Sequence, residues 1–94
     1  MTSKQRAYLR KLSQEFDPIF HVGKGSISPE LTSAIDEALE KRELIKVNVL
    51  KNCFDDVREV AETIAERTNS EVVCVIGRKF VLYKKSKNNP KIVL

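Results

Sequence analysis

Tryptophan is absent from this chain of 94 residues, histidine occurs once, cysteine twice, and glycine and proline three times each. Each scarcity removes a class of chemistry. His21 has no cysteine, serine or carboxylate at a spacing that would activate a nucleophile or complete a metal site, so catalysis is not expected. Cys53 and Cys74 stand far apart among apolar neighbours, with no apolar secretory segment before them, and read as two reduced core thiols. No apolar stretch approaches the ~18–20 residues of a membrane span, so a cytoplasmic protein without membrane contact is expected. Acidic residues are missing altogether from residues 72–94.

That last absence is one part of a segregated charge. Residues 1–29 hold five Lys/Arg against two acids, residues 30–71 six against eleven, and residues 72–94 six against none, for a net +4. If the fold brings the two basic ends to one face, that face is a polyanion footprint and the acidic middle turns away from it. The same composition also suits a solvated surface with a basic tail, or an adaptor whose basic ends bind an acidic protein partner.

Apolar spacing predicts a helix over residues 3–16, with Tyr8 or Leu9, Leu12 and Phe16 on its inner side, stopped by Asp17-Pro18. Ile19–Val22 reads as a short buried strand. Behind a Ser28 N-cap, a helix from Pro29 to about Arg42 carries Leu31, Ala34, Ile35, Ala38 and Leu39 as one stripe. Leu44–Leu50 alternates, with Ile45, Val47 and Val49 on one face and Lys46 and Asn48 on the other. A third helical stripe runs through Val57, Val60, Ala61, Ile64 and Ala65, with Asp55, Asp56, Glu59, Glu62 and Glu66 as its solvent side. Val72–Ile76 reads as a central strand covered on both faces, and Phe80–Tyr83 returns after a Gly77-Arg78-Lys79 turn displaying two cations. Phe16, Phe20, Phe54 and Phe80 are assigned to the core, which leaves Tyr8 and Tyr83 for stacking. The order is α-β-α-β-α-β-β: an α/β sandwich of two layers on a small mixed four-stranded sheet, one domain over residues 1–86 and a basic tail over 87–94.

The segment from His21 to Pro29 carries the most chemical character. Gly23 and Gly25 permit positive φ and leave backbone N–H groups open to close approach, and Lys24 adds a charge. Ser28-Pro29 then sets the positive end of a helix beside the loop, an arrangement suited to phosphate, although an ordinary tight turn would use the same residues. It is neither G-x-G-x-x-G nor a P-loop. The candidate contacts to single-stranded or bulged RNA are Gly23, Lys24, Gly25 and Ser26 in the loop and Lys46 on the polar strand face. Arg78 and Lys79 in the hairpin turn, Arg10 and Lys11 on the first helix, and Lys84 beyond the hairpin complete the set. No cofactor, metal or small-molecule substrate is expected, and the chain is expected to act as a monomer. His21 is read as structural or as a hydrogen bonder beside the loop.

Four stretches together resemble the CRM domain family (chloroplast RNA splicing and ribosome maturation), specifically its small stand-alone bacterial members of the YhbY type. They are Leu9-Arg10-Lys11-Leu12, Val22-Gly23-Lys24-Gly25-Ser26-Ile27-Ser28, Glu43-Leu44-Ile45-Lys46-Val47 and Val75-Ile76-Gly77-Arg78-Lys79-Phe80-Val81-Leu82-Tyr83. The resemblance implies an RNA-binding domain of the same element order, related in shape to the C-terminal domain of bacterial initiation factor three. It also implies a G-x-x-G loop like that of KH domains and association with ribosomal RNA in precursors of the large subunit. Gly23 and Lys24 match the first two loop positions. Ser26 stands where the family pattern has its second glycine, so either the turn shifts by one residue or Ser26 takes the same conformation.

Overall fold

In a computed structural model covering Met1–Leu94, Thr2 opens the first helix by a reciprocal cap. Its hydroxyl accepts the Gln5 N–H (3.1 Å) while the Gln5 side chain accepts the Thr2 N–H (2.9 Å). This helix, α1, spans Ser3–Ser13 and ends earlier than its apolar spacing suggests. The Ser13 hydroxyl donates to the Arg10 carbonyl at 2.8 Å, and the chain turns at once, with the Phe16 N–H donating to the Ser13 carbonyl. Phe16 is therefore left on the surface rather than in the core.

The remaining elements are β1 (Phe20–Val22), α2 (Pro29–Arg42), β2 (Leu44–Val49), α3 (Val57–Thr68), β3 (Glu71–Ile76) and β4 (Lys79–Tyr83), in the order expected. Ser28 caps α2 by accepting the Leu31 N–H, with Pro29 at the first helical position where its missing N–H costs nothing. The strands form one mixed sheet in the order β1-β2-β4-β3. β1 runs parallel to β2, a pairing that requires the crossover provided by α2, while β2–β4 and β3–β4 are antiparallel.

This order corrects one expectation. Val72–Ile76 lies in an edge strand, with only Val73 buried, and the strand covered on both faces is β4. Hairpin pairing puts β3 and β4 side by side, but β4 also takes the free edge of β2, so the second member of the hairpin becomes the interior one.

Two apolar clusters sandwich the sheet. On one face Val22, Ile45, Val47, Val49, Phe80 and Leu82 meet Ile35 and Leu39 of α2 and Val60, Ala61 and Ile64 of α3, the two-layer core that the periodicities predict. On the other face Leu9 of α1 covers Leu44, Val73, Val81 and Tyr83, so α1 shields only one end of that face. Phe80 is fully buried and Phe20 packs against the larger cluster, whereas Phe54 is 92% exposed. Phe54 is absent from the core because it precedes α3, in the β2–α3 loop, and no helical or strand period turns it inward.

The last residues run back over the end of α2. Glu43 joins α2 to β2 at φ 64° and is fully buried, and its carboxylate accepts the backbone N–H groups of Ser86, Lys91 and Ile92. One turn earlier, Glu40 accepts the Ser86 hydroxyl and the N–H groups of Lys87 and Asn88.

Candidate nucleic-acid interface

The loop from Gly23 to Ser26 is a β-turn closed by the Ser26 N–H donating to the Gly23 carbonyl at 2.9 Å. Lys24 and Gly25 occupy its centre, and neither glycine uses positive φ. The expected role for glycine is thus corrected: the left-handed residue is Ser26, at φ 52°, because this turn keeps both central residues at negative φ and its exit bends the other way. Ser26 therefore takes the glycine-like conformation itself. Its hydroxyl donates to the Asp55 carboxylate, a tie from the β2–α3 loop that holds the turn in place. Gly25 faces open space, with no atom within 4 Å of where a Cβ would stand. Gly23 lies closer to its surroundings, where a Cβ would sit 3.5 Å from the Asn52 side chain.

Parallel pairing of β1 with β2 brings this turn to the same end of the sheet as the β2–α3 loop, and the antiparallel hairpin delivers its own turn there. Gly77, at φ 60°, takes the first central position of that hairpin turn. Arg78 is less of a free cation than the sequence suggests. Its Nε donates to the Val49 carbonyl (2.8 Å), and its Nη2 donates to the carbonyls of Leu50 (2.6 Å) and Cys53 (3.3 Å). The guanidinium therefore fixes the β2–α3 loop through Nε and Nη2.

Lys79 projects on the sheet face opposite α2 and α3, level with Asn48, which pairs with His21 across β1 (Asn48 Nδ2 to His21 Nδ1, 3.3 Å). Lys46 stands opposite Val81 on the same face, a diagonal neighbour of Lys79 at ~7–8 Å between Cα atoms. Where α1 leaves this face uncovered, Arg10, Lys46 and Lys79 ring a shallow groove of about 260 Å³ that includes Ser13, Gln14 and Cys74. Burial pushes the Cys74 thiol above its ordinary pKa, and the nearby charges of Arg10, Lys46 and Arg6 act against that rise, which marks the groove as electropositive.

Lys24, Lys46, Lys79, Arg10 and Lys11 form no ion pair; the pairs present are Met1–Glu71, Arg58–Glu62 and Lys84–Asp36. Lys84 does not join the group. It follows β4 at the opposite end from Lys79, ~17 Å along the strand, and donates to Asp36 at 3.1 Å. Arg6, another cation of α1, is spent on structure, donating to the Val72 and Val73 carbonyls of the edge strand. The unpaired carboxylates of α2 and α3 lie in the opposite layer, on helix surfaces turned from the groove. Sequence reasoning missed Asp55 and Asn52, whose contribution is contact with a turn about thirty residues earlier in the chain; no local pattern marks such a contact.

The family model for the CRS1 / YhbY (CRM) domain matches residues 1–84. A Bacillus subtilis protein named Probable RNA-binding protein YqeI is 47% identical over 94 residues, spanning 100% of this chain and 98% of its own. A Methanocaldococcus jannaschii protein, likewise named a probable RNA-binding protein, is 34% identical over 89% of this chain and 63% of its own length. The solution structure of the Staphylococcus aureus protein SAV1595, described as a candidate RNA-binding protein, superposes with a TM-score of 0.83. It shares 53% identity, over 100% of this chain and 98% of that one.

Proposed function

Since the chain belongs to the CRS1 / YhbY (CRM) domain family, we propose that it is a non-catalytic RNA-binding protein that grips the phosphate backbone with one electropositive face. The observation that carries this reading is the groove ringed by Arg10, Lys46 and Lys79, none with an ion-pair partner, on the sheet face opposite α2 and α3, with a further unpaired cation, Lys24, in the turn that follows β1. Cations held without a carboxylate partner keep their full charge for phosphate, and the turn at Gly23–Ser26 offers backbone beside Lys24 with no side chain at Gly25 in the way. Phosphate contacts of this kind position a strand rather than read its sequence. The family resemblance suggests ribosomal RNA of large-subunit precursors as the target, met in the cytoplasm during assembly.

The test is a titration of labelled large-subunit ribosomal RNA fragments with the protein across a salt series, chelator present. Binding through three to five phosphates of a single strand gives a log–log salt slope of roughly −2 to −3.5 and persists without divalent metal. Affinity that is weak and indifferent to salt would instead favour an acidic protein as the partner.

A second expected outcome concerns the turn. Gly25→Val keeps the fold, since its φ is negative and the added side chain meets nothing, but it places two methyl groups where backbone must approach phosphate. Affinity falls about tenfold, within the range of a lost charge-assisted contact, while the melting temperature stays within a few degrees of wild type. A folded variant with undiminished affinity would remove the turn from the interface.

A further inference from the structure

Phe54 is the most exposed aromatic side chain of the molecule, at 92%, yet the backbone that carries it is tied down on both sides. On one side Cys53 is buried, its N–H donates to the Leu50 carbonyl at 3.0 Å, and its own carbonyl accepts Arg78. On the other, Asp55 accepts the Ser26 hydroxyl and Asp56 caps α3 by accepting the Glu59 N–H at 3.2 Å. A bare phenyl ring on a mobile loop needs no explanation, but one held between two anchored turns is a preorganised apolar surface. The same ties locate it: the Asp55–Ser26 bond sets it beside the Lys24 turn, and the Cys53–Arg78 bond beside the hairpin turn. The two carboxylates that follow it in the chain accept hydrogen bonds from neutral groups of the protein, Asp55 from the Ser26 hydroxyl and Asp56 from the Glu59 N–H.

An exposed aromatic face beside a turn that carries an unpaired lysine, Lys24, matches the requirements of an unpaired nucleotide, whose base stacks while its phosphate is neutralised. We infer that Phe54 is a stacking platform for one unpaired base of the bound strand, whose phosphate lies at the Gly23–Ser26 turn. The inference rests on the RNA-binding reading and narrows it to single-stranded or bulged RNA, because a base inside a duplex offers no free face to the ring.

The absence of tryptophan from the chain supplies a clean reporter, since Phe54→Trp would introduce its sole indole. Wild type, Phe54→Trp and Phe54→Ala are titrated with a short unpaired RNA oligonucleotide and with a blunt duplex of the same sequence, after circular dichroism has shown equal folding. The expected result is quenching of the indole emission of the Phe54→Trp variant by the oligonucleotide but not by the duplex. Phe54→Ala should bind the oligonucleotide about tenfold more weakly, with an unchanged salt slope and unchanged duplex affinity. Oligonucleotide affinity equal to wild type in Phe54→Ala, with no quenching in Phe54→Trp, overturns the stacking role and leaves the RNA reading standing. An equal loss for oligonucleotide and duplex also overturns it, since stacking cannot act on both. If wild type shows no salt-sensitive affinity for either RNA, the RNA reading itself fails and the platform with it.

Discussion

Reversing charge at Lys24 and Lys79 together lowers RNA affinity by roughly 30- to 100-fold at moderate salt and flattens the salt slope by about 1.4, two phosphate contacts' worth. The size follows from where the two side chains stand. Lys24 is exposed at the centre of the β-turn and Lys79 on the open sheet face, and neither has a carboxylate partner, so a glutamate at either site adds repulsion as well as removing attraction. For the same reason stability changes little: no native hydrogen bond or ion pair is broken, and the melting temperature should stay within a few degrees. The same reversal at Lys84 is the matching control. Lys84 lies at the other end of β4 and faces Asp36, so a glutamate there sets two carboxylates together and costs some stability, but RNA affinity stays within about twofold. Isothermal or fluorescence titration of the double variant and the control across salt decides the matter. A loss for the Lys84 variant half as large, on a logarithmic scale, as that of the double variant would mean that affinity depends on net charge alone, with no localised face.

Glu43→Gln is the substitution expected to cost most stability, about 3 kcal/mol, although it alters neither side-chain volume nor the apolar core. Oε1 of Glu43 accepts two backbone N–H groups, from Lys91 and Ile92, and Oε2 accepts a third, from Ser86. A carboxamide has one acceptor oxygen, so its NH2 must face a backbone donor at one end, and a buried donor loses its partner. The residues after Ser86 should then detach, uncovering part of the smaller apolar cluster on the α1 side of the sheet, against which Ile92 packs. Thermal unfolding should show a fall of more than ~10 °C for a chain of this size, and amide exchange should speed up at Lys91 and Ile92. A melting temperature within a few degrees of wild type would mean that the segment contributes little to the fold.

The same carboxylate gives the direction of the pH response. Burial pushes the Glu43 pKa upward, but the amide donors of Ser86, Ile92 and Lys91, with the charge of Lys91, outweigh it and hold the group below the ordinary glutamate value. Glu40 moves the same way, through the Ser86 hydroxyl first and then the N–H groups of Lys87 and Asn88. Groups depressed in the folded state contribute fully above the unfolded pKa, near 4.3–4.5, and lose that contribution as pH falls through the folded value. The C-terminal segment should therefore hold throughout the neutral range and release in acid, before the main core unfolds.

The elements themselves were legible in the order of residues. The apolar stripes of α2 and α3, the alternation of β2 and the Ser28-Pro29 start are local patterns, imposed by 3.6- and 2-residue periods, and each element formed where its pattern lies. So was the charge segregation, because α1 holds Lys4, Arg6, Arg10 and Lys11 without an acid while α2 and α3 carry the acids. What each surface residue is for came from contacts between distant parts of the chain. The interior place of β4 follows from pairing with a strand 31 to 39 residues earlier, and with it the edge position of β3. Such contacts turned Arg78 into a brace for the β2–α3 loop, set Ser26 in the left-handed region against Asp55, and buried Glu43 under the last residues. Phe54 shows the reason most directly: hydrophobicity states what a side chain gains by burial, but whether any surface reaches it depends on how the sheet and helices close around it, and here none does.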